Sequence, residues 1–305
     1  MTHFILKRIG QGIIVLFLMS VLVFAMTRLS GNPVTLYIPD SATREDIIAM
    51  EKELGLDKPL LEQYGIFLFN LLRGDFGNSL RYNRPALDLF LTRVQPTAEL
   101  CGAALLLSLV FGFLAGILAA VKRGSFIDSL VMILTLLGQA APPFVSALIF
   151  MYFFSVKLRL FPSAGYGGIS YLVLPAITLS IFFIAAIARL LRGSMLETLG
   201  KDYIRLARIK GLKERVVILK HALKNSIIPV ITYVGPLSVI MITTALAVEV
   251  VFGWPGIGQL VYNATIGWDF PVVQVTVLIL AAALIFTNIV VDILYAWIDP
   301  RIRLW

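Results

Sequence analysis

The sequence has 305 residues, of which 59% are hydrophobic and only 14% are charged, and its mean hydropathy is +0.90. Soluble domains are about 45–50% apolar and about 25% charged, so this composition excludes an ordinary soluble protein and indicates one whose solvent is largely lipid. The single cysteine, Cys101, excludes an internal disulfide framework. The formal net charge of +8 raises the question of nucleic-acid binding, which the positions of the basic residues answer below.

A helix needs about 20 mostly apolar residues to cross the hydrocarbon region of a membrane. Six stretches meet this length, and we predict transmembrane helices over 9–29, 97–121, 129–154, 171–191, 229–252 and 273–297. The first lacks the small-residue cleavage site of a signal peptide and is predicted to be a retained helix. A further apolar stretch, 60–72, is too short to cross, so we expect it on the membrane surface or against the helix bundle. The predicted fold class is an all-α membrane protein with six transmembrane helices.

A long segment with nearly balanced charge, 30–96, lies between the first two predicted spans. The run from Thr43 to Asp46 has the pattern of a capping box, and apolar residues at helical spacing follow it. This pattern predicts a helix, with Gly55 as its C-cap. We expect the segment to form a small folded insertion on the extracytoplasmic side.

The distribution of lysine and arginine predicts the orientation, because basic residues concentrate in cytoplasmic loops. With the N-terminus in the cytoplasm, the inner segments hold most of the basic residues, and the largest group lies in the polar loop 192–228. Both termini are then cytoplasmic, and the excess charge is explained without nucleic acid. The predicted divisions are the N-terminal tip with the first helix, the insertion, the membrane core and the cytoplasmic tail, over 1–29, 30–96, 97–298 and 299–305.

Motifs for catalysis are absent from the sequence, which has no phosphate-binding loop, no His-Glu-x-x-His metal helix and no Gly-x-Ser-x-Gly elbow. We therefore predict no catalytic residue, no metal site and no cofactor in this chain, and a transport pathway rather than an enzyme. The ionisable residues Glu249, Asp292 and Arg189 lie near span ends, whereas ion-coupled carriers place such groups near the middle of the bilayer. An ion-coupled secondary transporter and a membrane-embedded enzyme are the weaker alternatives.

Two adjacent prolines, Pro142 and Pro143, fall inside the third predicted span. Proline lacks the backbone N–H donor and clashes with the preceding turn, so we expect a kink or a break in that helix. Two interpretations are open at this point: an irregularity of packing, or a hinge that lines the pathway.

The polar loop 192–228 is too long for a simple connection, and we predict two helical stretches in it, about 194–209 and 213–226, with a break at Gly211. Ala207 and Gly211 are four residues apart, so a helical turn would place two small residues on one face. Small residues let another backbone approach, which favours docking of a protein. The alternative is a solvated basic loop at an anionic membrane surface.

Motifs in the order of the chain resemble those of permeases from binding-protein-dependent ABC importers, in the branch that imports peptides, nickel and related solutes. The polar loop resembles the coupling loop of that family in Ala207-Arg208-Ile209-Lys210-Gly211-Leu212 and His221-Ala222-Leu223-Lys224-Asn225. The other matching elements are Leu54-Gly55-Leu56-Asp57-Lys58-Pro59-Leu60, Gly74-Asp75-Phe76-Gly77, Pro96-Thr97, Leu174-Pro175-Ala176, the run from Glu249 to Gly258, and Asp299-Pro300-Arg301-Ile302-Arg303. Two departures are Ile209, where the peptide branch favours alanine, and Ser30-Gly31-Asn32-Pro33, where the family often has Pro-Gly-Asp-Pro.

The resemblance implies the type I ABC importer permease fold, with an extracytoplasmic insertion between helices 1 and 2, in a bacterial cytoplasmic (inner) membrane. It implies three kinds of partner: a second, homologous permease subunit, two ATP-binding subunits that hold ATP and magnesium, and an extracytoplasmic solute-binding protein. The residues implied in coupling to the ATPases are Asp202, Arg205, Ala207, Arg208, Lys210, Gly211 and Leu212. The residues implied in an outer gate or docking surface are Glu249, Phe252, Pro255, Gly256 and Gly258, with a paired structural acid as the alternative for Glu249.

Peptides lead among the solutes that the resemblance implies, and nickel or metal chelates, glutathione and opines are the alternatives. One chain forms only half of such a pathway, and the binding protein does much of the selecting. The sequence therefore predicts the class of transporter and leaves its solute open.

Overall fold

The computed structural model describes residues 2–31, 34–37, 42–53 and 55–298. Within these ranges the chain is helical apart from turns, loops and one isolated bridge between Asn78 and Pro85. The helices are α1 (Thr2–Leu29), α2 (Val34–Tyr37), α3 (Arg44–Glu53), α4 (Leu60–Leu72), α5 (Ala86–Val121), α6 (Phe126–Ala140), α7 (Pro143–Phe150), α8 (Ile169–Leu199), α9 (Asp202–Ile209), α10 (Glu214–Val216), α11 (Leu223–Phe252), α12 (Ile257–Ile266) and α13 (Phe270–Ile298). Two π-helical segments, Met151–Lys157 and Val217–Ala222, continue α7 and α10.

Some predicted features lie outside the described residues. These are the motif and tail that begin at Asp299, the pair Asn32-Pro33, Leu54, and the side chain of Asp292.

Five of the six predicted spans are confirmed by helices long enough to cross, and the third corresponds to a broken helix pair. Five helical stretches are long and apolar enough to cross a membrane: Arg8–Leu29, Ala86–Val121, Ile169–Leu199, Glu214–Phe252 and Phe270–Val291. The third predicted span is a helix pair, Phe126–Ala140 and Pro143–Lys157, whose axes are bent by 106°. The break falls at Pro142 and Pro143, as expected from the loss of two backbone donors.

One compact unit comprises residues up to Gln95 together with those from Gly256 onward. In it α1 packs along α13, and the amide of Gln274 donates a hydrogen bond of 2.8 Å to the Thr27 hydroxyl. The short apolar helix α4 lies against α1, where the ring of Phe24 meets the rings of Tyr64 and Phe67 at 5.3 and 5.7 Å. Of the two places expected for segment 60–72, the structure thus shows packing against a helix.

Within the same unit, α3 begins at the predicted capping box. The Asp46 carboxylate accepts from the Thr43 backbone N–H at 2.8 Å, and the Thr43 hydroxyl accepts from the Asp46 N–H at 3.3 Å. The hydrogen bonds from Thr43 lower the pKa of Asp46. Gly55, with φ of +65°, follows the helix as predicted.

The second unit runs from Pro96 to Pro255, and α8 lies at its centre. Helices α6, α7 and α11 pack on α8, and the buried side chains Phe183, Ile187 and Leu191 belong to the shared core. Ser226 donates to the backbone carbonyl of Ser194 at 3.3 Å, which ties the start of α11 to the end of α8. Small residues on α5, Gly112 and Gly116, allow the backbone of α8 to approach closely.

Helix α5 differs from the predicted span 97–121, because it begins at Ala86 and continues through Pro96. The polar residues of 86–95 prevent that stretch from being a membrane span but do not prevent it from being helical. Pro96 lacks a backbone N–H and therefore cannot donate to the carbonyl of Thr92, four residues earlier in the helix. Its own carbonyl accepts a hydrogen bond of 2.8 Å from the indole N–H of Trp254.

Replacing Gly116 by valine is expected to lower the thermal unfolding temperature of the detergent-solubilised protein. A Cβ at this position would lie 2.9 Å from the carbonyl oxygen of Ala188 and 3.0 Å from the Cβ of Leu191, so the two helices would have to separate. Overpacking of this kind costs about 1–3 kcal/mol. The control is Gly102→Val in the same helix, where a Cβ has no atom within 4 Å. Equal unfolding temperatures for the two variants would contradict the close approach.

Candidate functional sites

The predicted coupling segment forms a separate short helix, α9, at the end of α8. Helix α8 ends at Leu199, and α9 begins at Asp202 after a turn in which Lys201 pairs with Glu197 at 3.1 Å. This turn was not expected, because residues 194–209 were predicted as one helix. Two residues on one face of α9, Ile204 and Ala207, are buried in the chain itself. The helix is therefore held against the bundle of its own unit.

Gly211 ends α9 by a specific backbone arrangement. Its φ is +77°, and its N–H donates to the carbonyl of Arg208 at 2.9 Å, while the N–H of Leu212 donates to that of Ala207 at 3.3 Å. This pair of bonds is the Schellman motif, which requires a left-handed residue that glycine adopts without strain. A Cβ on Gly211 would have no atom within 4 Å, so the glycine serves the turn rather than a close contact in this chain.

The expectation that Ala207 and Gly211 share one accessible face is wrong. Ala207 points into the core, and Gly211 lies beyond the end of the helix in a left-handed turn. Instead, the segment exposes an apolar surface. Of its residues the sequence analysis singled out only Leu212. The exposed apolar residues are Tyr203, Leu206, Ile209 and Leu212.

The charged residues predicted for coupling surround this surface. Asp202, Arg205, Arg208 and Lys210 are all exposed. Arg208 makes two hydrogen bonds to the Glu214 carboxylate, at 2.7 and 3.2 Å, across the turn that follows α9. This contact raises the pKa of Arg208 above its usual value. Such an exposed pair contributes little to stability but fixes the direction of the turn.

A part-buried ion pair was missed by the sequence analysis. Asp128 is 5% exposed, and its two oxygens accept from Arg192 Nε at 2.6 Å and Nη2 at 2.9 Å. The backbone N–H of Gly124 also donates to Asp128, at 3.0 Å. The pair joins the first turn of α6 to the last turns of α8. No local pattern links residues 64 positions apart, so the sequence carried no signal for it.

The segment predicted as an outer gate or docking surface is largely buried. Glu249 is fully buried and accepts a hydrogen bond of 2.6 Å from Thr97, which corresponds to the alternative of a paired structural acid. Phe252, Gly256 and Gly258 are buried, and Pro255 is half-buried. In this structure these residues do not form an exposed surface, and their role as a gate stays a prediction.

Trp254, in the middle of that segment, is also a core residue. It is 1% exposed, its indole N–H is bonded to the carbonyl of Pro96, and the ring of Tyr166 meets it edge-on at 4.8 Å. Tyr166 donates its hydroxyl proton to Glu99 at 2.8 Å, which raises the pKa of Tyr166. Packing in the core therefore explains the tryptophan in the motif that runs from Glu249 to Gly258.

The search for a candidate metal site covers the part of the chain that the structure describes. No group of three or more His, Cys, Asp or Glu side chains is placed to hold an ion there. What the described residues do contain is a helical membrane bundle with an accessible short helix at one end.

Comparisons with known proteins identify the family to which the chain belongs. The family described as "Binding-protein-dependent transport system inner membrane component" matches residues 112–304, and its N-terminal companion family matches residues 1–100. A "Putative peptide permease protein" of Brucella suis biovar 1 is 39% identical over 317 residues, with 99% of each chain covered. The "Glutathione transport system permease protein GsiC" of Escherichia coli strain K12 is 37% identical over 304 residues, also with 99% of each chain covered.

A solved structure described as an amino acid ABC transporter with histidines has a TM-score of 0.55 at 13% identity. The match covers 68% of this chain and 93% of that one, and it shows the fold, which is that of a type I ABC importer permease. The chain belongs to the family of binding-protein-dependent transport system inner membrane components. It is a multi-pass inner-membrane protein and a permease subunit of an ABC importer, as the sequence motifs implied.

Proposed function

We propose that this chain forms half of the translocation pathway for short peptides, and that α9 is its docking element for an ATP-binding subunit. The observation that carries the proposal is the two-sided character of α9. Its inner face, with Ile204 and Ala207, is buried in the chain, while Leu206, Ile209 and Leu212 remain exposed. An exposed apolar group on a polar segment, ringed by charged residues, is the usual composition of a protein interface.

The relatives support peptides as the solute class. One relative is described as a peptide permease and another as a glutathione permease, and glutathione is itself a tripeptide. Membership of the family supports partner ATP-binding and solute-binding proteins in general. We propose that the assembly has a second permease subunit, two ATP-binding subunits that hold ATP and magnesium, and a solute-binding protein outside. The charge distribution supports a cytoplasmic position for both termini and for α9.

The mechanism follows from how α9 is held. ATP-driven closure of the partner subunits displaces α9, and the buried contacts of Ile204 and Ala207 pass this displacement to α8. The close packing of α8 with its neighbours makes the unit from Pro96 to Pro255 move as one piece. The pathway then alternates between inward-facing and outward-facing forms.

The test replaces Ile209, which is 76% exposed, by aspartate. We expect the variant to insert normally, to lose co-purification of the ATP-binding subunits at least 10-fold, and to abolish peptide uptake in proteoliposomes, because a carboxylate is placed in an apolar interface. The matched control is Ile169→Asp, an equally exposed isoleucine (81%) at the other end of α8. Unchanged co-purification for Ile209→Asp, or equal loss for Ile169→Asp, would refute docking through α9.

A further inference from the structure

Helix α4 lies at the depth of the membrane but is too short to cross it. Its 13 residues, Leu60–Leu72, extend about 20 Å, whereas the hydrocarbon region is about 30 Å thick. It packs on α1 through Tyr64, whose hydroxyl is 2.9 Å from the hydroxyl of Ser20. The apolar stretch of α1 ends at Leu29, and Ser20 lies about 14 Å from that end along the helix axis. The contact is therefore well inside the span.

The neighbouring helix α13 indicates the same depth for α4. The two helices share the walls of a cavity of about 120 Å³, which is lined by Phe67 and Leu71 from α4 and by Val275 and Leu278 from α13. The apolar stretch of α13 begins at Phe270, so Val275 and Leu278 lie about 8 and 12 Å from that end of the span. Both neighbours thus place α4 in the leaflet in which α1 ends and α13 begins.

Helix α4 also has an exposed apolar surface. Leu61 and Leu72 are 87% and 79% exposed, and about three helical turns separate them, so they lie on one line along the helix. Phe69 is exposed as well. The one acidic residue of α4, Glu62, pairs with Lys58 at 2.9 Å at the N-terminal end of the helix. At the depth of the span, such an apolar surface must be covered by lipid or by another protein.

Two arginines lie at the ends of the helices that meet here. Arg73 directly follows α4, and its guanidinium lies over the Phe69 ring at 3.9 Å, with no carboxylate within 4 Å in the described part of the chain. Arg28, in the last turn of α1, lies 5.4 Å from the ring of Phe24, which packs on the aromatic rings of α4. Its Nε is buried without a hydrogen-bond partner among the described residues. Both positive charges are complementary to phosphate, the anion that arginine binds best together with carboxylate.

We propose that α4 is a phospholipid-binding helix inserted in the leaflet in which α1 ends. Leu61, Phe69 and Leu72 lie among the acyl chains, and Arg28 and Arg73 bind the phosphate groups of the lipid. Helices of this kind lie along the boundary between headgroups and acyl chains, with the apolar face about 5–10 Å inside it. Charged side chains at both ends of α4 and apolar ones between them fit this placement. The inference depends neither on the solute nor on the role of α9.

Phospholipid accounts for the two arginines as well as for the apolar surface. A helix of a second permease would cover the leucines of α4, but it would also have to bring an acidic group to each arginine. Lipid phosphates line the whole boundary of a leaflet, and long basic side chains at the ends of membrane helices extend toward them. The exposed residues Leu18 and Leu22 belong to α1, so α4 enlarges an apolar surface that the span itself presents to lipid.

The first test attaches a nitroxide to a single cysteine of an otherwise cysteine-free importer in nanodiscs, with Cys101→Ala removing the native thiol of this chain. Collisions of the nitroxide with oxygen and with a water-soluble nickel chelate are measured. At Leu61→Cys and Leu72→Cys we expect an oxygen-to-nickel collision ratio about 5-fold higher than at Ile48→Cys, because hydrocarbon excludes the chelate. Ile48 is the matched control, since it is an exposed apolar residue (55%) in α3 of the same insertion.

Two outcomes of this measurement would overturn the inference. Nickel collisions at Leu72→Cys equal to those at Ile48→Cys would place α4 in water, and few collisions with either agent would show that protein covers it. A second measurement tests the phosphate contact: Arg73→Gln should at least halve the rise in unfolding temperature that phosphatidylglycerol gives the detergent-solubilised chain. Arg84→Gln, which changes an exposed arginine of the same unit, should leave that rise unchanged. Equal rises in the two variants would also contradict the proposal.

Discussion

A Gly211→Val variant is expected to insert and fold, yet to retain less than about a tenth of the peptide uptake of the unmodified importer. Valine at φ +77° costs about 1–2 kcal/mol or more, and the chain escapes this cost by leaving the left-handed region. The two hydrogen bonds that close α9 are then lost, and the exposed residues Ile209 and Leu212 change direction. Uptake and peptide-stimulated ATP hydrolysis in proteoliposomes of the assembled importer are the measurements.

Gly74 provides a matched control for this variant. It ends α4 with the same pair of hydrogen bonds, has a φ of +79°, and a Cβ there also meets no atom within 4 Å. Gly74→Val therefore introduces the same backbone strain away from α9 and should keep most of the uptake. Gly211→Asn should be milder than valine, since asparagine tolerates the left-handed region. Undiminished uptake in Gly211→Val would remove the coupling role of this turn.

A Trp254→Ala variant is expected to be the most destabilised single variant among those discussed. The indole is almost completely buried, and truncation of a buried tryptophan costs about 3–5 kcal/mol through lost burial and the cavity left behind. It also removes the contact with the Tyr166 ring and the hydrogen bond to Pro96. The measurement is the thermal unfolding temperature in detergent, together with the yield of membrane-inserted protein.

The Trp254→Phe variant separates the contribution of the indole hydrogen bond to stability from the contribution of side-chain burial. Phenylalanine keeps most of the buried aromatic surface but leaves the Pro96 carbonyl without its indole donor. We therefore expect the free energy of unfolding to fall by about 0.5–1.5 kcal/mol. Phe286→Ala serves as the control for an aromatic truncation, because this side chain is 68% exposed in the apolar helix α13. If Trp254→Ala unfolds no earlier than Phe286→Ala, the packing role of Trp254 is wrong.

Much of the fold could be predicted from sequence because membrane helices obey a simple length and hydropathy rule. The same is true of local backbone features, whose causes lie within a few residues. The capping box at Thr43, the helix end at Gly55 and the break at Pro142 were all predicted and are all observed. The helix boundary at Ala86 was missed because hydropathy marks where a helix enters lipid, not where it begins.

Features that depend on distant residues could not be predicted in this way. No local pattern pairs Asp128 with Arg192, or Thr97 with Glu249, because these partners are far apart along the chain. The orientation of α9 could not be predicted either, because contacts with the rest of the unit determine which face of the helix is buried. For this reason Ala207 was expected at the surface, and the apolar residues Leu206 and Ile209 were overlooked.

The uninterrupted course of α11 links the two motif regions of its unit mechanically. Its 30 residues extend about 45 Å at the helical rise of 1.5 Å per residue, from beside Ser194 to the turn at Gly253. Two prolines inside it, Pro229 and Pro236, each remove one backbone hydrogen bond, yet the helix continues through both. Under the mechanism proposed above, a displacement of the Ser226 end of α11 would reach the buried Thr97–Glu249 hydrogen bond, which lies at the opposite end of the same helix.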